Sequence, residues 1–220
     1  SCITCHKDVV GLEGAEKISE GLKLYQELGC FGCHQTKGFG DDKFMIIAPS
    51  LTEIGSKVNS NWLYDWLMGP KNFRPSARMP DFLLEEDEAK AIASYLWQNS
   101  EGFDAGEAEE FDDETIDEGA YLFESVGCLA CHSDVAEDGM VHGPNLARIG
   151  EKVNFEYLVS WILEPKSHQP MTSMPNFRLD DESARMLAAY LTTLKSDEYE
   201  PVEEENEWIN DEEMAEKGKS

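Results

Sequence analysis

The sequence predicts an all-α protein built from two tandem domains. The first observation is an internal duplication of about 80 residues within a chain of 220 residues. The second is that each copy holds three stretches with apolar residues at helical spacing and almost none of the alternation typical of strands. The length suits two small domains, and 41% hydrophobic residues are enough for two packed cores.

The duplication is visible in blocks that keep their order. The matched blocks are Gly21–Cys30 with Gly119–Cys128, Pro49–Val58 with Pro144–Val153, Trp66 with Trp161, Pro70–Lys71 with Pro165–Lys166, and Arg78–Phe82 with Ser173–Phe177. Because both copies share these blocks, one fold is expected twice.

Each copy is predicted to contain three helices, placed by their start and stop signals. The first ends at a glycine suited to the C-terminal cap, Gly29 or Gly127. The second begins at a capping Asn and stops before a proline, and the third begins at acidic residues. The predicted helices are Glu16–Leu28, Asn59–Met68 and Glu85–Gln98 in the first copy, and Ile116–Val126, Asn154–Leu163 and Asp181–Leu194 in the second.

All six cysteines fall in C-x-x-C-H motifs. Two thiols at this spacing can reach the two vinyl groups of one porphyrin, and the adjacent His can bind the iron from below. Zinc and disulfides fit poorly, because neither requires a His after every second Cys. The motifs predict three covalently bound haem c groups, numbered in chain order: Cys2, Cys5 and His6 for haem 1; Cys30, Cys33 and His34 for haem 2; Cys128, Cys131 and His132 for haem 3.

Met79 and Met174 are predicted to be the sixth ligands of haems 2 and 3. A single Met is more often core filler than a ligand. Here the same Met-Pro pair stands at matching positions of both copies, before the last helix, which favours ligation. A thioether is a soft donor that favours reduced iron, so His/Met ligation raises the reduction potential.

With these motifs in order, residues 15–100 and 113–196 each resemble a class I cytochrome c domain. The resemblance implies a compact helical fold around haem, with one porphyrin edge exposed for electron exchange. It also implies that the carbonyls of Pro49 and Pro144 accept a hydrogen bond from the proximal imidazoles. The first copy departs slightly, since Ala48 replaces the Gly143 of the second.

Several aromatic residues near the expected haem sites have two interpretations. Trp62, Trp66 and Trp161 could bind haem propionates or pack against the porphyrin, and their helical spacing favours packing. Tyr95 and Tyr190, matched in the closing helices, are predicted to be core residues.

Three segments lie outside the copies. Residues 1–14 form a short N-terminal segment that carries haem 1, and residues 101–112 are predicted to be an acidic linker. Residues 197–220 form an acidic tail that either is disordered or docks through Trp208.

The sixth ligand of haem 1 is not evident from its own segment. His168 is the first choice and His142 the second, because neither is needed by the domain fold. Each could instead be a surface or propionate-contacting His. A ligand taken from a neighbouring chain would join molecules head to tail into a filament.

Composition and motifs together predict electron transfer. The net charge of −27 argues against binding nucleic acid or anionic membranes and favours basic redox partners. No apolar run predicts a membrane span, and no leader opens this sequence. Haem attachment follows export, so the expected location is periplasmic or extracellular. The expected role is a relay subunit of a membrane respiratory complex, with redox proteins as partners, or a wire of copies of itself. The alternative is a peroxidase-like enzyme with an open haem 1.

Overall fold

The computed structural model describes residues 16–34, 48–102, 110–135, 142–199 and Ile209. Within these ranges every regular element longer than one residue is helical, which confirms the all-α class. None of the helices described is both long and apolar enough to cross a bilayer. The chain divides into two compact units: unit 1 comprises Ser1–Asp104 with Val202–Ser220, and unit 2 comprises Ala105–Pro201.

The helices of the two units correspond one to one, apart from α2. Unit 2 has a 3-10 turn, Ile149–Glu151, in its place. Unit 1 contains α1 (Glu16–Glu27), α2 (Ile54–Lys57), α3 (Ser60–Met68), α4 (Pro70–Phe73) and α5 (Glu86–Gln98). Unit 2 contains α6 (Asp113–Ser125), α7 (Phe155–Leu163), α8 (Pro165–His168) and α9 (Asp181–Thr193).

Each unit has its own apolar core. In unit 1, α1 and α3 pack against α5, and in unit 2, α6 and α7 pack against α9. Alanines on the two closing helices, such as Ala93 and Ala188, are fully buried, so the neighbouring helices approach them closely. Larger side chains fill the rest, including Tyr25 and Tyr95 in unit 1 and Phe123 in unit 2. The first and last helices of each copy are thereby held together, far apart in sequence but adjacent in space.

A glycine stands where the first and last helices of each unit meet. A Cβ added to Gly21 would collide with the carbonyl oxygen of Ala91 and the Cβ of Tyr95. A Cβ added to Gly119 would collide in the same way with Met186 and Tyr190. These matched residues therefore set how closely the helices can approach each other.

The observed helices differ from the predicted ones at the start of α6 and at the two prolines that follow α3 and α7. Helix α6 starts at Asp113 rather than Ile116, because the Asp112 side chain caps it by accepting a hydrogen bond from the Thr115 N–H at 2.8 Å. Pro70 and Pro165 do not simply end the preceding helices. Each begins a further helical turn, as proline can at the first helical position, where no N–H is needed.

The acidic tail contacts unit 1 through Ile209. This residue is 3% exposed, and its carbonyl accepts a hydrogen bond from Gln98 Nε2 at 3.2 Å. Docking of the tail through Trp208 stays a prediction. Trp208 lies outside the described residues.

Unit 2 has a buried carboxylate, Glu151, with no counterpart among the described residues of unit 1. Glu151 is 3% exposed; Arg148 donates to it at 2.6 Å and the Ser196 N–H donates at 2.7 Å. Burial alone would raise its pKa, but the hydrogen bonds from Arg148 and Ser196 outweigh burial and lower the pKa of Glu151. The matched residue of unit 1 is Ser56, which has no charge to neutralise.

Glu151→Gln is expected to lower the free energy of unfolding of unit 2 by about 2 kcal/mol at neutral pH, because a charged hydrogen-bond acceptor is lost. A lowered folded pKa means that Glu151 stabilises unit 2 above its unfolded pKa of about 4.3. That contribution disappears as the pH falls through the lower folded value. Hydrogen exchange in α9 at several pH values measures the effect, with exposed Glu118→Gln as the control. A gap between wild type and variant that does not shrink as the pH falls below the unfolded pKa would contradict the assignment.

Candidate functional site

The two C-x-x-C-H motifs that the structure describes share one backbone conformation. Gly29 and Gly127 adopt left-handed φ values of 72° and 93°, which confirms the predicted glycine caps. One turn of 3-10 helix follows in each, Cys30–Gly32 and Cys128–Ala130. The backbone N–H of His34 donates to Cys30 O at 2.9 Å, and that of His132 donates to Cys128 O at the same distance. These turns bring the two thiols and the imidazole of each motif close together.

The four described cysteines are free thiols. Cys30 and Cys128 are half-buried, and burial raises the pKa of each thiol. Cys33 and Cys131 are exposed. Reduced thiols are the form that can add to the vinyl groups of a porphyrin.

Each proximal imidazole is held by a proline carbonyl. Nδ1 of His34 lies 2.8 Å from Pro49 O, and Nδ1 of His132 lies 2.8 Å from Pro144 O. This confirms the bonds expected from the resemblance. A carbonyl can only accept, so Nδ1 must carry the proton and Nε2 keeps its lone pair. Burial lowers the pKa of His34, more than the Pro49 bond raises it, which favours the neutral ring that binds metals.

The glycine before Pro144 is required by the local geometry of unit 2. A Cβ on Gly143 would lie 2.6 Å from Cε1 of His132. Its N–H donates to Cys131 O at 2.7 Å, so it cannot easily move away. Ala48 stands at this position in unit 1, where the His34–Pro49 bond nevertheless has the same length. The presence of Ala48 in place of glycine therefore leaves the His34–Pro49 hydrogen bond intact.

The sulfur of each candidate Met ligand accepts a hydrogen bond from a tryptophan. Trp66 Nε1 donates to Met79 Sδ at 2.9 Å, and Trp161 Nε1 donates to Met174 Sδ at 2.9 Å. Binding of propionates or packing on the porphyrin was predicted for these indoles, and the bond to sulfur was not. The sequence feature that could have indicated these bonds is the interval of 13 residues from Trp to Met, which is the same in both copies.

Aromatic rings hold both indoles in place. Trp66 stacks on Trp62 at 5.0 Å between centroids and meets the edge of Phe73 at 6.2 Å. Trp161 is stacked with Tyr157 at 6.3 Å and with His168 at 6.1 Å. These contacts join the indoles to neighbouring aromatic side chains, and the predicted packing against the porphyrin stays a prediction.

A turn after the Met-Pro pair fixes the end of each Met loop. The Asp81 carboxylate accepts from the Leu83 N–H at 2.9 Å, and the Asn176 carbonyl accepts from the Arg178 N–H at 2.7 Å. Leu83 and Arg178 both have positive φ, 53° and 58°, which is uncommon for such residues. The same strained turn thus recurs at matched positions, with its positive-φ residue four residues after each Met.

Unit 2 adds two further bonds to its Met loop. The Met174 N–H donates to Thr172 Oγ1 at 3.2 Å, and Asn176 Nδ2 donates to Glu164 at 2.8 Å. The equivalent of Glu164 in unit 1 is Gly69, which offers no side chain.

The closing-helix tyrosines differ from each other. Tyr95 is 2% exposed and packs in the core against Tyr25, as predicted. Tyr190 is only half-buried, and its hydroxyl donates to Asp134 at 3.0 Å, just after the third motif. Burial and, to a smaller extent, the hydrogen bond to Asp134 raise the pKa of Tyr190 to about 12. Tyr190 therefore ties the closing helix to the segment that follows His132.

The two remaining histidines have different surroundings. His142 is exposed, whereas His168 is half-buried, with its ring against Tyr157 and Trp161. His168 Nε2 lies 2.8 Å from Ser160 Oγ. To bind an iron through that atom, His168 would have to leave Ser160. Its assignment to haem 1 stays a prediction, as does that of His142, and Cys2, Cys5 and His6 lie outside the described residues.

In each unit the donors suit haem c. They are two free thiols, an imidazole whose Nε2 is available, and a half-buried thioether, which is the set that holds a His/Met haem. In unit 1, Cys30 and Met79 both pack against the same core cluster. The residues that would hold the groups are Cys30, Cys33, His34 and Met79 in unit 1, and Cys128, Cys131, His132 and Met174 in unit 2.

Comparison with protein families agrees with this chemistry. Residues 18–100 match the model described as cytochrome c. Residues 114–191 match the model described as cytochrome c oxidase, cbb3-type, subunit III. The chain contains two cytochrome c domains. Such domains carry haem c bound covalently through their cysteines.

Two kinds of oxidase subunit are similar to parts of the chain. Cytochrome c oxidase subunit 2 of Alkalihalophilus pseudofirmus is 33% identical over 133 residues, which cover 55% of this chain and 36% of the relative. A cbb3-type cytochrome c oxidase subunit CcoP of Helicobacter pylori is 28% identical over 127 residues, covering 54% and 40%. A second Helicobacter pylori CcoP is 28% identical over 117 residues, covering 46% and 39%. The chain thus spans less than half the length of these curated relatives.

Proposed function

We propose that the chain is an extracytoplasmic electron-transfer protein that carries three haem c groups and relays electrons within a membrane respiratory complex. The main support is that the same set of donors, two Cys, one His and one Met, occurs twice, with the same His–Pro and Trp–Met hydrogen bonds. The relatives named as oxidase subunits support a relay within a complex.

The residues of each unit have separate tasks in this proposal. The two cysteines would anchor the group, the Pro-bound His would supply Nε2 to the iron, and the Met would supply sulfur. When bound, haem supplies the one-electron exchange between ferric and ferrous iron. Two protein ligands leave no position for a substrate, which favours electron transfer over catalysis at haems 2 and 3.

The acidic surface bears on the choice of partner. A formal charge of −27 attracts basic proteins and speeds their encounter at low salt. The same charge disfavours contact with nucleic acid. We therefore propose basic redox proteins, or basic patches of neighbouring subunits, as partners.

The haem count tests the proposal directly. The intact chain is expected to carry three haems by mass and by alkaline pyridine absorbance. Cys2→Ala with Cys5→Ala should reduce the count to two, and Cys30→Ala with Cys33→Ala should do the same as a matched control. A wild-type count of two would overturn the assignment of haem 1.

Low-temperature electron paramagnetic resonance of the oxidised protein tests the ligands. Two low-spin His/Met signals and one further low-spin signal support a closed relay. A high-spin third signal that responds to cyanide would instead support the peroxidase-like alternative, with haem 1 open to small molecules.

A further inference from the structure

We propose that the carboxylate of Asp134 lowers the reduction potential of haem 3, and that Tyr190 is a positioning residue whose hydroxyl limits this effect. The inference rests on the proposed attachment of haem 3 at Cys128, Cys131 and His132. It assigns to one pair of side chains a difference between the two units.

The carboxylate has a fixed place beside the third motif. Asp134 is half-buried and lies two residues after the histidine of the motif. Both of its chain neighbours are held: the Leu146 N–H donates to Ser133 O at 2.7 Å, and Asn145 Nδ2 donates to Val135 O at 2.8 Å. A charge in a segment held in this way keeps one position relative to the histidine that would bind the iron.

A tyrosine hydroxyl bonds to this carboxylate. The Tyr190 hydroxyl, on the closing helix α9, donates to Asp134 Oδ2 at 3.0 Å. The Tyr190 ring is itself packed, with its centroid 5.5 Å from that of Phe123. Within the ranges that the structure describes, no Lys or Arg forms an ion pair with Asp134. The hydroxyl therefore offsets part of a charge that no described cation neutralises.

The direction of each effect follows from Coulomb's law. Ferric iron carries one more positive charge than ferrous iron, so a nearby carboxylate stabilises the ferric state more and lowers the potential. A hydroxyl that donates to the carboxylate places its positive hydrogen against that negative charge and reduces its influence. The two side chains therefore act on haem 3 with opposite signs.

Unit 1 has a different arrangement after its motif. The residue two places after His34 is Thr36, which carries no charge. The hydroxyl of Tyr25, on α1, donates to the neutral carbonyl of His34 at 3.3 Å, and Phe123 replaces Tyr25 in unit 2. A carboxylate two residues after the motif is thus present in the sequence of unit 2 and absent from that of unit 1.

Asp134→Asn tests the first effect in the full haem-loaded chain, because it removes the charge and keeps the shape of the side chain. The potential of haem 3 is expected to rise, by up to about 59 mV for a change of up to tenfold in the relative affinity of the two oxidation states. Haem 2 is the internal reference. The Met174→His chain identifies the redox transition of haem 3, since only that centre loses its thioether. Glu118→Gln removes one exposed charge from the same unit and should leave both potentials unchanged.

Tyr190→Phe tests the second effect and separates it from a merely structural role. Phe keeps the packed ring and loses the hydroxyl, so the carboxylate acts with its full charge and the haem 3 potential should fall. A structural role predicts shifts of the same sign in Tyr190→Phe and Asp134→Asn, because each disturbs the same hydrogen bond. In the chain with both changes, Tyr190→Phe should add almost nothing to the effect of Asp134→Asn.

The hydrogen bond itself can be measured without reference to the haem. NMR of the Tyr190 ring carbon that bears the hydroxyl follows its ionisation. The pKa of Tyr190, about 12, should fall in Asp134→Asn, because the hydrogen bond to Asp134 and the charge of that residue both raise it. Burial, the largest cause, remains in the variant and keeps this pKa above the ordinary value of about 10.

Two results would overturn the inference. One is an equal haem 3 potential in Asp134→Asn and Glu118→Gln, and the other is a shift of the same sign in Asp134→Asn and Tyr190→Phe. A wild-type chain with no haem on Cys128 and Cys131 would instead overturn the proposed function.

Discussion

Gly21→Ala is expected to lower the free energy of unfolding of unit 1 by about 2–4 kcal/mol. The new methyl group would collide with the carbonyl oxygen of Ala91, a backbone atom that cannot rotate away. Alanine in place of glycine within a helix gains only about 1 kcal/mol. Overpacking against a rigid neighbour costs more, so α1 and α5 must separate and the core of unit 1 loosens.

Gly32→Ala is the matched control, since nothing lies within 4 Å of its added Cβ. The second copy already has Ala130 at this position. Denaturant unfolding of the full haem-loaded chain, with hydrogen exchange followed in α1 and α5, measures both variants. Equal stability of Gly21→Ala and Gly32→Ala would show that the helices can adjust without cost.

Met174→His is expected to cause the largest change in potential. Replacing thioether by imidazole substitutes a stronger donor that stabilises ferric iron, so the potential of haem 3 should fall. A hundredfold to thousandfold change in relative affinity corresponds to about 120–180 mV for a one-electron couple. The sulfur-to-iron charge-transfer band of haem 3 should disappear at the same time.

Met171→His controls for the introduction of a histidine into the same loop. Met171 is 87% exposed and lies three residues before Met174, so its replacement should leave both haem potentials unchanged. Spectroelectrochemistry of the two variants separates the outcomes. A shift caused by Met171→His but not by Met174→His would exchange the roles of these residues.

Much of the fold follows from local signals in the sequence. The duplication, the helix-ending glycines and the capping Asn59, which accepts from the Trp62 N–H at 2.7 Å, specify helices close to those observed. The start of α6 was misplaced because its acidic first turn looks like the acidic linker before it. Acidic residues in both segments indicate solvent exposure, and only the Asp112 cap marks where the helix begins.

The candidate site was predicted less completely than the fold. Cysteine spacing and the repeated Met-Pro indicate candidate donors, because covalent attachment and ligation require fixed residue types. The Trp–Met bonds depend instead on how α3 and α7 rotate their side chains towards the Met loops, and spacing alone does not give that rotation. The bond of Tyr190 to Asp134 likewise joins residues 56 apart in sequence, beyond any local signal.

The anchored Met loops bear on how fast an electron could move. Each sulfur is held between an indole N–H and a turn closed by Asp81 or Asn176. As the proposed ligand, a sulfur fixed from both sides would keep its position when the charge of the iron changes. Small displacement means a small reorganisation energy, so exchange can be fast even with little driving force. The same anchoring would let the two centres differ in potential without either becoming slow.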